Sequence, residues 1–201
     1  SSEFLVNVSK LTSATAIAQL ISIGTAPILY RIYDRVHYGT LGLYMAITGV
    51  IGVFSTLQYM QTIMLEKEDE DAINAMWLNR LINVGFTLLV SISILLFSGM
   101  LGKWANNPAL EKWFWLIPLS IFFSGQNEIF KVWANRKKEY NVLTLNGILM
   151  AIIVPIVSIS LGLLYDSEMG LFIGLFAGQS IPALILYFTV GRKYDIGFSR
   201  F

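Results

Sequence analysis

Two side chains of opposite charge, Glu128 and Lys131, stand in a stretch of otherwise uncharged residues. Residues three apart in a helix are neighbours on its surface, so these two can form an ion pair. Ser120, Ser124 and Asn127 share the same helical face. An ionisable pair in an apolar helix is costly and is typical of a functional site, but it can also serve only to hold helices together. The sequence leaves both interpretations open.

Other reactive or metal-binding groups are few. The chain has no cysteine, which excludes disulfides and thiolate catalysis, and its single histidine, His37, cannot form a zinc site alone. No nucleophile stands at a recognisable spacing from this histidine, and no glycine-rich loop of the Walker type occurs. We therefore predict that the protein is not an enzyme and holds no cofactor or metal.

The composition indicates a membrane protein. Hydrophobic residues make up 55% of the 201 residues and charged residues 13%, against roughly 25% charged in a typical globular domain. Six uncharged stretches approach or exceed the ~20 residues that cross a bilayer as a helix. The six predicted spans lie near residues 11–33, 38–65, 77–102, 113–134, 141–165 and 169–191. The fourth is plausible only if Glu128 and Lys131 are shielded from lipid.

The predicted fold is an all-α membrane protein, a bundle of six transmembrane helices in one domain over residues 1–201. A soluble all-α protein would instead show apolar runs of about 10 to 14 residues. Placing the N-terminus in the cytoplasm puts ten of the 14 Lys and Arg residues on that side. The positive-inside rule therefore predicts that both ends of this segment are cytoplasmic. The net charge of +1 gives no basic field, so nucleic acid is not an expected partner.

Polar and small residues inside the spans predict how the helices pack. Polar residues recur at helical spacing in several spans, with Gln19 in the first and Gln58 near the end of the second, and indicate an internal polar surface. Close backbone contact between helices is predicted at two sets of glycines, namely Gly170, Gly174 and Gly178 in the sixth span and Gly49 with Gly52 in the second.

Five short segments carry a family resemblance: Pro27-Ile-Leu-Tyr-Arg31-Ile-Tyr33, His37-Tyr-Gly39, Leu43-Tyr44, Leu57-Gln-Tyr59 and Trp133-Ala-Asn-Arg136-Lys-Lys-Glu-Tyr140. They resemble the polysaccharide biosynthesis (Wzx-type) flippases of the multidrug/oligosaccharidyl-lipid/polysaccharide superfamily. The resemblance covers almost all of the chain. It implies one six-helix lobe of a MATE-like transporter, the N-terminal lobe of two.

The resemblance also implies a function. Such flippases move an undecaprenyl-pyrophosphate-linked oligosaccharide across the bacterial cytoplasmic (inner) membrane by alternating access, for surface polysaccharides such as O-antigen. The implied partners are this lipid-linked oligosaccharide, membrane lipids, the missing C-terminal lobe or a second copy of the chain, and glycan polymerases and glycosyltransferases. Two other functions stay open, a drug or ion antiporter of the same superfamily and a membrane scaffold that recruits glycan enzymes without transport.

The resemblance assigns residues to the substrate. Arg31 matches the arginine that closes the first span in the family, and a guanidinium can hold phosphate with two hydrogen bonds. Arg31 and Lys131 are therefore expected to bind the pyrophosphate, with Glu128 setting the charge environment of Lys131. Arg31 can equally extend toward the lipid headgroups. The side chains expected to line a polar substrate-binding cavity are those of Gln19, Gln58, Asn127 and Glu128, and the first three are expected to contact the sugar hydroxyls.

Overall fold

The computed structural model describes residues 2–56, 59–105, 107–165 and 167–194, and these residues form helices and no strand. In chain order the described elements are α1 (Ser2–Ile32), α2 (Arg35–Phe54), a 3-10 helix (Tyr59–Gln61), α3 (Thr62–Leu65), α4 (Asp69–Ala105), α5 (Pro108–Glu111), α6 (Leu116–Arg136), α7 (Tyr140–Leu164) and α8 (Met169–Lys193). The prediction of an all-α protein is confirmed for the described residues.

Five of these helices are long and apolar enough to cross a membrane. Their membrane-compatible ranges are Thr12–Ile32, Arg35–Phe54, Asp69–Leu101, Tyr140–Leu164 and Met169–Lys193. Large apolar side chains are exposed along them, for example Leu20 at 69% and Leu95 at 80%, which suits a bilayer and not water. Helix α6 is absent from this set, because the run Gln126-Asn-Glu128 and Lys131 lower its mean hydropathy. A sixth span stays a prediction.

Helix α6 is the central helix of the bundle. It contacts α2, α3, α4, α7 and α8, and 12 of its 21 residues are buried. The outer helices continue from α8 to α7 and from α7 to α1. Because most of α6 is surrounded by protein, Ser120, Gln126 and Asn127 find hydrogen-bond partners on neighbouring helices. Such partners explain why a stretch this polar occupies the central place.

The predicted second span, residues 38–65, is not one continuous helix. Helix α2 ends at Phe54, and a turn follows in which the Tyr59 amide donates to the carbonyl of Thr56 at 2.9 Å. The side-chain amide of Asn79 in α4 donates to the carbonyl of Tyr59 at 3.3 Å. A backbone group freed by the end of a helix needs such a partner inside an apolar environment. Helix α4 supplies that partner here, and the local sequence around Tyr59 does not reveal it.

The two predicted glycine contacts have different outcomes. The glycines of α8 pack directly against α7, since a Cβ at Gly174 would overlap the hydroxyl of Ser158 and stand 2.9 Å from the carbonyl oxygen of Val154. That prediction is confirmed. The same prediction is wrong for Gly49 and Gly52, because a Cβ at either position would meet nothing within 4 Å. These two glycines face open space beside α2.

Clusters of buried aromatic and aliphatic residues lie at the two ends of the bundle. The first, here called the Trp113 end, contains Tyr33, Tyr44, Trp113, Phe114 and Phe172. The second, the Trp133 end, contains Ile63, Met76, Ile129, Phe130 and Trp133. Tryptophan and tyrosine concentrate where membrane proteins cross the two membrane–water interfaces. The positions of the two clusters therefore agree with helices that run from one interface to the other.

Candidate functional site

A cavity of about 400 Å³ lies between α2, α6 and α8, and its lining combines apolar side chains with several polar groups. We call it the polar cavity. Its polar lining consists of Thr48 in α2, Ser55 and Thr56 just after α2, Ser120, Ser124 and Glu128 in α6, and Gln179 in α8. Among the described residues that line it, Glu128 is the only charged one. A concave site with a few converging polar groups is the usual form of a ligand-binding site.

Two glycines form part of the α2 wall of the polar cavity. Gly49 and Gly52 both line it, and neither presents a side chain. Beyond Phe54 the helix is broken, and Ser55 and Thr56 of the break also face the cavity. Broken helices next to a polar cavity recur in transporters, where the interrupted backbone is tolerated because it lines the site and not the lipid.

The α6 wall carries the predicted ion pair. Ser120, Ser124 and Glu128 are four residues apart and so lie on one helical face. The ammonium group of Lys131 donates to Glu128 Oε1 at 2.7 Å, which confirms that the two side chains pair. Their side chains are 50% (Glu128) and 38% (Lys131) exposed, so the pair adds little to stability. Both charges remain accessible to a ligand.

The polar cavity is closed toward the Trp113 end. The hydroxyls of Tyr44 and Ser120 share a hydrogen bond of 2.7 Å, and Tyr44 is fully buried. The Tyr44 ring meets the edge of Phe172 at 5.1 Å, and Phe172 stacks on Trp113 at 4.4 Å. The hydrogen bond joins α2 to α6, and the rings join α2 to α8 and to the turn before α6. The cavity is therefore closed at this end, while Glu128 is exposed at the other.

Gln179 is a site residue that sequence reasoning missed. It lines the polar cavity, and its Oε1 atom is buried without a hydrogen-bond partner among the described residues. A buried amide oxygen without a partner costs about 1–3 kcal/mol, which a polar ligand would offset. The available signal was a lone glutamine within the apolar stretch 169–191.

The two cations expected to bind pyrophosphate lie at different ends of the bundle. Arg31 is exposed at the end of α1. It lies at the Trp113 end, two residues before Tyr33, whose hydroxyl donates to the carbonyl of Ser158. Helix α6 begins at Leu116, also at the Trp113 end, and Lys131 lies fifteen residues, or about 22 Å, farther along this helix. The structure does not bring these two residues together in the polar cavity.

The residues expected to contact sugar are also spread over different environments. Gln19 is exposed on α1 and is not part of the cavity lining. Asn127 is buried, and its side-chain oxygen accepts a hydrogen bond of 2.9 Å from Asn146 of α7, which also donates to the carbonyl of Pro182 in α8. Gln58 lies outside the described residues. A ligand role for these three stays a prediction.

Arg80 anchors a second polar group that sequence reasoning missed. Its Nε donates to Gln126 Oε1 at 3.0 Å, and the Gln126 amide donates to Asn83 Oδ1 at 2.9 Å. The guanidinium carbon lies 4.4, 5.2 and 5.4 Å from the ring centres of Trp77, Phe130 and Tyr187. Hydrogen bonds and cation–π contacts hold a charge inside an apolar bundle. The network therefore joins α4 to α6 and fixes the central helix.

Arg136 and Lys137, at the end of α6, hold neighbouring helices together at the Trp133 end. We call this set of contacts the clamp. Arg136 Nη1 donates to the carbonyls of Ile63 at 2.9 Å and Glu66 at 2.6 Å, at the end of α3. Arg136 and Lys137 both pair with Asp69 at the start of α4. One turn thus holds α3 and α4 against α6.

A second part of this clamp involves the residue that precedes α7. The carboxylate of Glu139 accepts hydrogen bonds from Lys193 and from the Tyr194 hydroxyl, the latter at 2.7 Å. The Lys193 hydrogen bond, followed by that of Tyr194, lowers the pKa of Glu139. Burial and the bond to Glu139 raise the pKa of Tyr194 to about 12. The end of α8 is therefore tied to the α6–α7 turn.

Comparison with known proteins identifies a family. A family model described as "Polysaccharide biosynthesis protein" matches residues 28–201, which extend from the end of α1 through all the later helices. Neither the curated proteins nor the solved structures provide a match to this chain.

Proposed function

This chain belongs to the polysaccharide biosynthesis protein family, and we propose that it moves an undecaprenyl-pyrophosphate-linked oligosaccharide across the bacterial cytoplasmic membrane. The observation that carries this proposal is the polar cavity between α6 and the membrane-compatible helices α2 and α8, closed at one end and exposed at the other. Sugars and pyrophosphate are strongly disfavoured in hydrocarbon, so a transporter has to provide such a polar compartment.

The cavity chemistry suits the two polar parts of this substrate. Hydroxyls and the amide of Gln179 can exchange hydrogen bonds with sugar hydroxyls. Lys131, beside the cavity residue Glu128, supplies the positive charge for the pyrophosphate. In this proposal Arg31 meets the phosphates only at the Trp113 end, after passage. Gln19, Gln58 and Asn127 remain proposed sugar contacts outside the cavity lining.

The proposal includes an orientation. With the N-terminus in the cytoplasm, as the distribution of basic residues predicts, the Trp133 end faces the cytoplasm and the polar cavity opens inward. Tyr44, Ser120 and Phe172 then form the outer barrier. We propose that α6 is the sixth span and that a second MATE-like lobe, or a second copy of this chain, lies across the cavity. Alternating access would separate the Tyr44–Ser120 contact.

Reconstituted vesicles test the proposal. The full-length protein should transfer a fluorescent undecaprenyl-pyrophosphate oligosaccharide between leaflets, measured by lectin access from one side. Lys131→Ala and Arg31→Ala should lower the rate about tenfold or more, the effect of losing roughly 1.4 kcal/mol of phosphate contact. Lys67→Ala and Arg35→Ala, which remove exposed charges near the same two ends, are the matched controls. Normal transfer by both substrate-site variants would contradict the site, and no transfer by the wild type would favour a scaffold.

The antiporter alternative depends on one observation, the exposed carboxylate of Glu128 in the polar cavity. A carboxylate in a transporter cavity can carry a proton or bind a cation. In the same vesicles, transfer driven by a pH gradient and lost in Glu128→Gln would assign coupling to this residue. Drug efflux without oligosaccharide transfer would instead favour the antiporter.

A further inference from the structure

The polar cavity presents a negative charge to a ligand. The described residues of its lining include Glu128 but no lysine, arginine or histidine. Lys131, the partner of Glu128 in the ion pair, is not part of this lining. The ion pair therefore turns its negative end toward the cavity. The Glu128 carboxylate is half exposed and accepts one hydrogen bond from Lys131, so it keeps acceptor positions for a ligand.

The uncharged polar groups of the lining do not offset this charge. The hydroxyl of Thr48 donates to the carbonyl of Tyr44 at 2.9 Å, and the hydroxyl of Ser124 donates to the carbonyl of Ile121 at 3.2 Å. While these bonds persist, the two hydroxyls offer a ligand acceptor positions only. The hydroxyls of the turn after α2 and the amide of Gln179 can donate, but they are neutral. A negatively charged ligand would thus meet no cation in the described lining.

We propose that the polar cavity selects neutral and amino sugars over acidic sugars, and that Glu128 determines this specificity. The inference rests on the function proposed above, for which it names the class of glycan. A carboxylate accepts hydrogen bonds from the hydroxyls of a neutral sugar and from the ammonium group of an amino sugar. The ionised carboxylate of a uronic acid has no proton to donate, and it repels the carboxylate of Glu128.

The apolar part of the lining strengthens this discrimination. Met45, Val53 and Leu175 share the cavity wall with Glu128. Walls of low dielectric constant concentrate the field of a charge inside a cleft, and like charges brought together in such a place disfavour the wrong partner. A repulsive contact can therefore set specificity as effectively as an attractive one.

The pyrophosphate of the substrate is compatible with this negative cavity. Every substrate of this kind carries the same pyrophosphate, so this group cannot distinguish one glycan from another. The ammonium group of Lys131 has three donors, one of which meets Glu128 at 2.7 Å. Because Lys131 lies outside the lining, it can bind a phosphate at the edge of the cavity while Glu128 faces the sugar.

Matched substrates test this specificity in the reconstituted vesicles. The two probes are undecaprenyl-pyrophosphate disaccharides that differ at one carbon, a hydroxymethyl group in the neutral probe and a carboxylate in the acidic one. The full-length wild type should transfer the neutral probe at least about tenfold faster, equivalent to roughly 1.4 kcal/mol. Glu128→Gln should bring the two rates to within about twofold, because the repulsion is removed. Glu70→Gln, on an exposed carboxyl at the start of α4, is the matched control and should keep the wild-type preference.

A binding measurement separates this inference from the proposed function. The chain has no cysteine, so Thr48→Cys places a single thiol in the lining of the polar cavity. The lipid-free neutral disaccharide should protect this cysteine from a thiol reagent at a concentration about tenfold lower than the acidic disaccharide does. Adding Glu128→Gln should remove that difference. Protection does not require transport.

Several results would overturn the inference. They are equal transfer of the two probes, equal protection by the two disaccharides, no protection by the neutral one, and a preference that persists in Glu128→Gln or disappears in Glu70→Gln. Selective protection without transfer of either probe would instead contradict the proposed function alone.

Discussion

The hydroxyls of Tyr44 in α2 and Ser120 in α6 share a buried hydrogen bond of 2.7 Å, and this contact closes the polar cavity at the Trp113 end. Both residues are almost fully buried, at 0% and 2% exposure. The contact joins helices that are distant in sequence and lies beside the stacked rings of Phe172 and Trp113. In the transport cycle proposed above, this contact is the point at which the cavity opens to the other side.

Tyr44→Phe should weaken this closure. The substitution removes one hydrogen bond, worth about 1 kcal/mol, and keeps the ring against Phe172. Since the chain has no cysteine, Thr48→Cys can report on access to the cavity. We expect a membrane-impermeant thiol reagent to reach this cysteine from the Trp113 side faster in the Tyr44→Phe background. An unchanged rate would mean that the aromatic rings alone form the barrier.

The Arg80 network should stabilise the bundle. Gln126→Ala removes the hydrogen bonds from Arg80 Nε and to Asn83 Oδ1. The buried Asn83 oxygen then loses its donor, and a buried polar atom left unsatisfied costs about 1–3 kcal/mol. We expect a lower Tm in detergent for Gln126→Ala, with little further loss when Asn83→Ala is added, because both belong to one network. Gln61→Ala, on an exposed residue, is the control. Additive losses would contradict a single network.

Two glycines should respond in opposite ways to alanine. Gly174→Ala places a methyl group against Ser158 of α7, and such overpacking costs about 1–3 kcal/mol. Gly49→Ala meets open space and should leave the Tm unchanged or slightly higher, while it narrows the polar cavity. Thermal unfolding in detergent compares the two variants. A large loss for Gly49→Ala would indicate that α2 packs closely there.

The clamp at Glu139 should make stability depend on pH. Because its hydrogen bonds lower the pKa of Glu139 in the folded protein, its contribution is present above the ordinary glutamate pKa and is lost as the pH falls through the lowered value. For Tyr194 the pKa is raised from 10.0 to about 12, so its contribution is present below pH 10.0 and is lost as the pH rises toward about 12.

The measurement is the Tm of wild type and Glu139→Gln across acidic pH. The two proteins should differ near neutrality and converge at low pH, where wild-type Glu139 also becomes protonated. Glu111→Gln, at an exposed carboxyl outside the clamp, should differ little from wild type throughout. A constant difference between wild type and Glu139→Gln at every pH would contradict the hydrogen-bonded carboxylate.

Much of the local structure could be predicted from the sequence because its causes are local. Helical spacing alone places Glu128 and Lys131 side by side, and the ion pair is present. Long uncharged stretches predict membrane helices since the bilayer leaves backbone groups no other partner, and five described helices meet that criterion. The glycines of the sixth span predict close contact, and Gly174 does pack on α7.

What only the tertiary structure decided is which helices are neighbours. In the sequence, Arg80 resembles a charged residue at the end of a span. In the structure it contacts Gln126 and three aromatic rings inside the bundle. Gly49 has the spacing of a packing glycine, yet it lines the polar cavity, and a Cβ placed there would meet none of the described atoms within 4 Å. Periodicity determines which residues share a face of a helix. It carries no information on what that face meets, because hydrogen bonds and packing between helices join residues far apart in the chain.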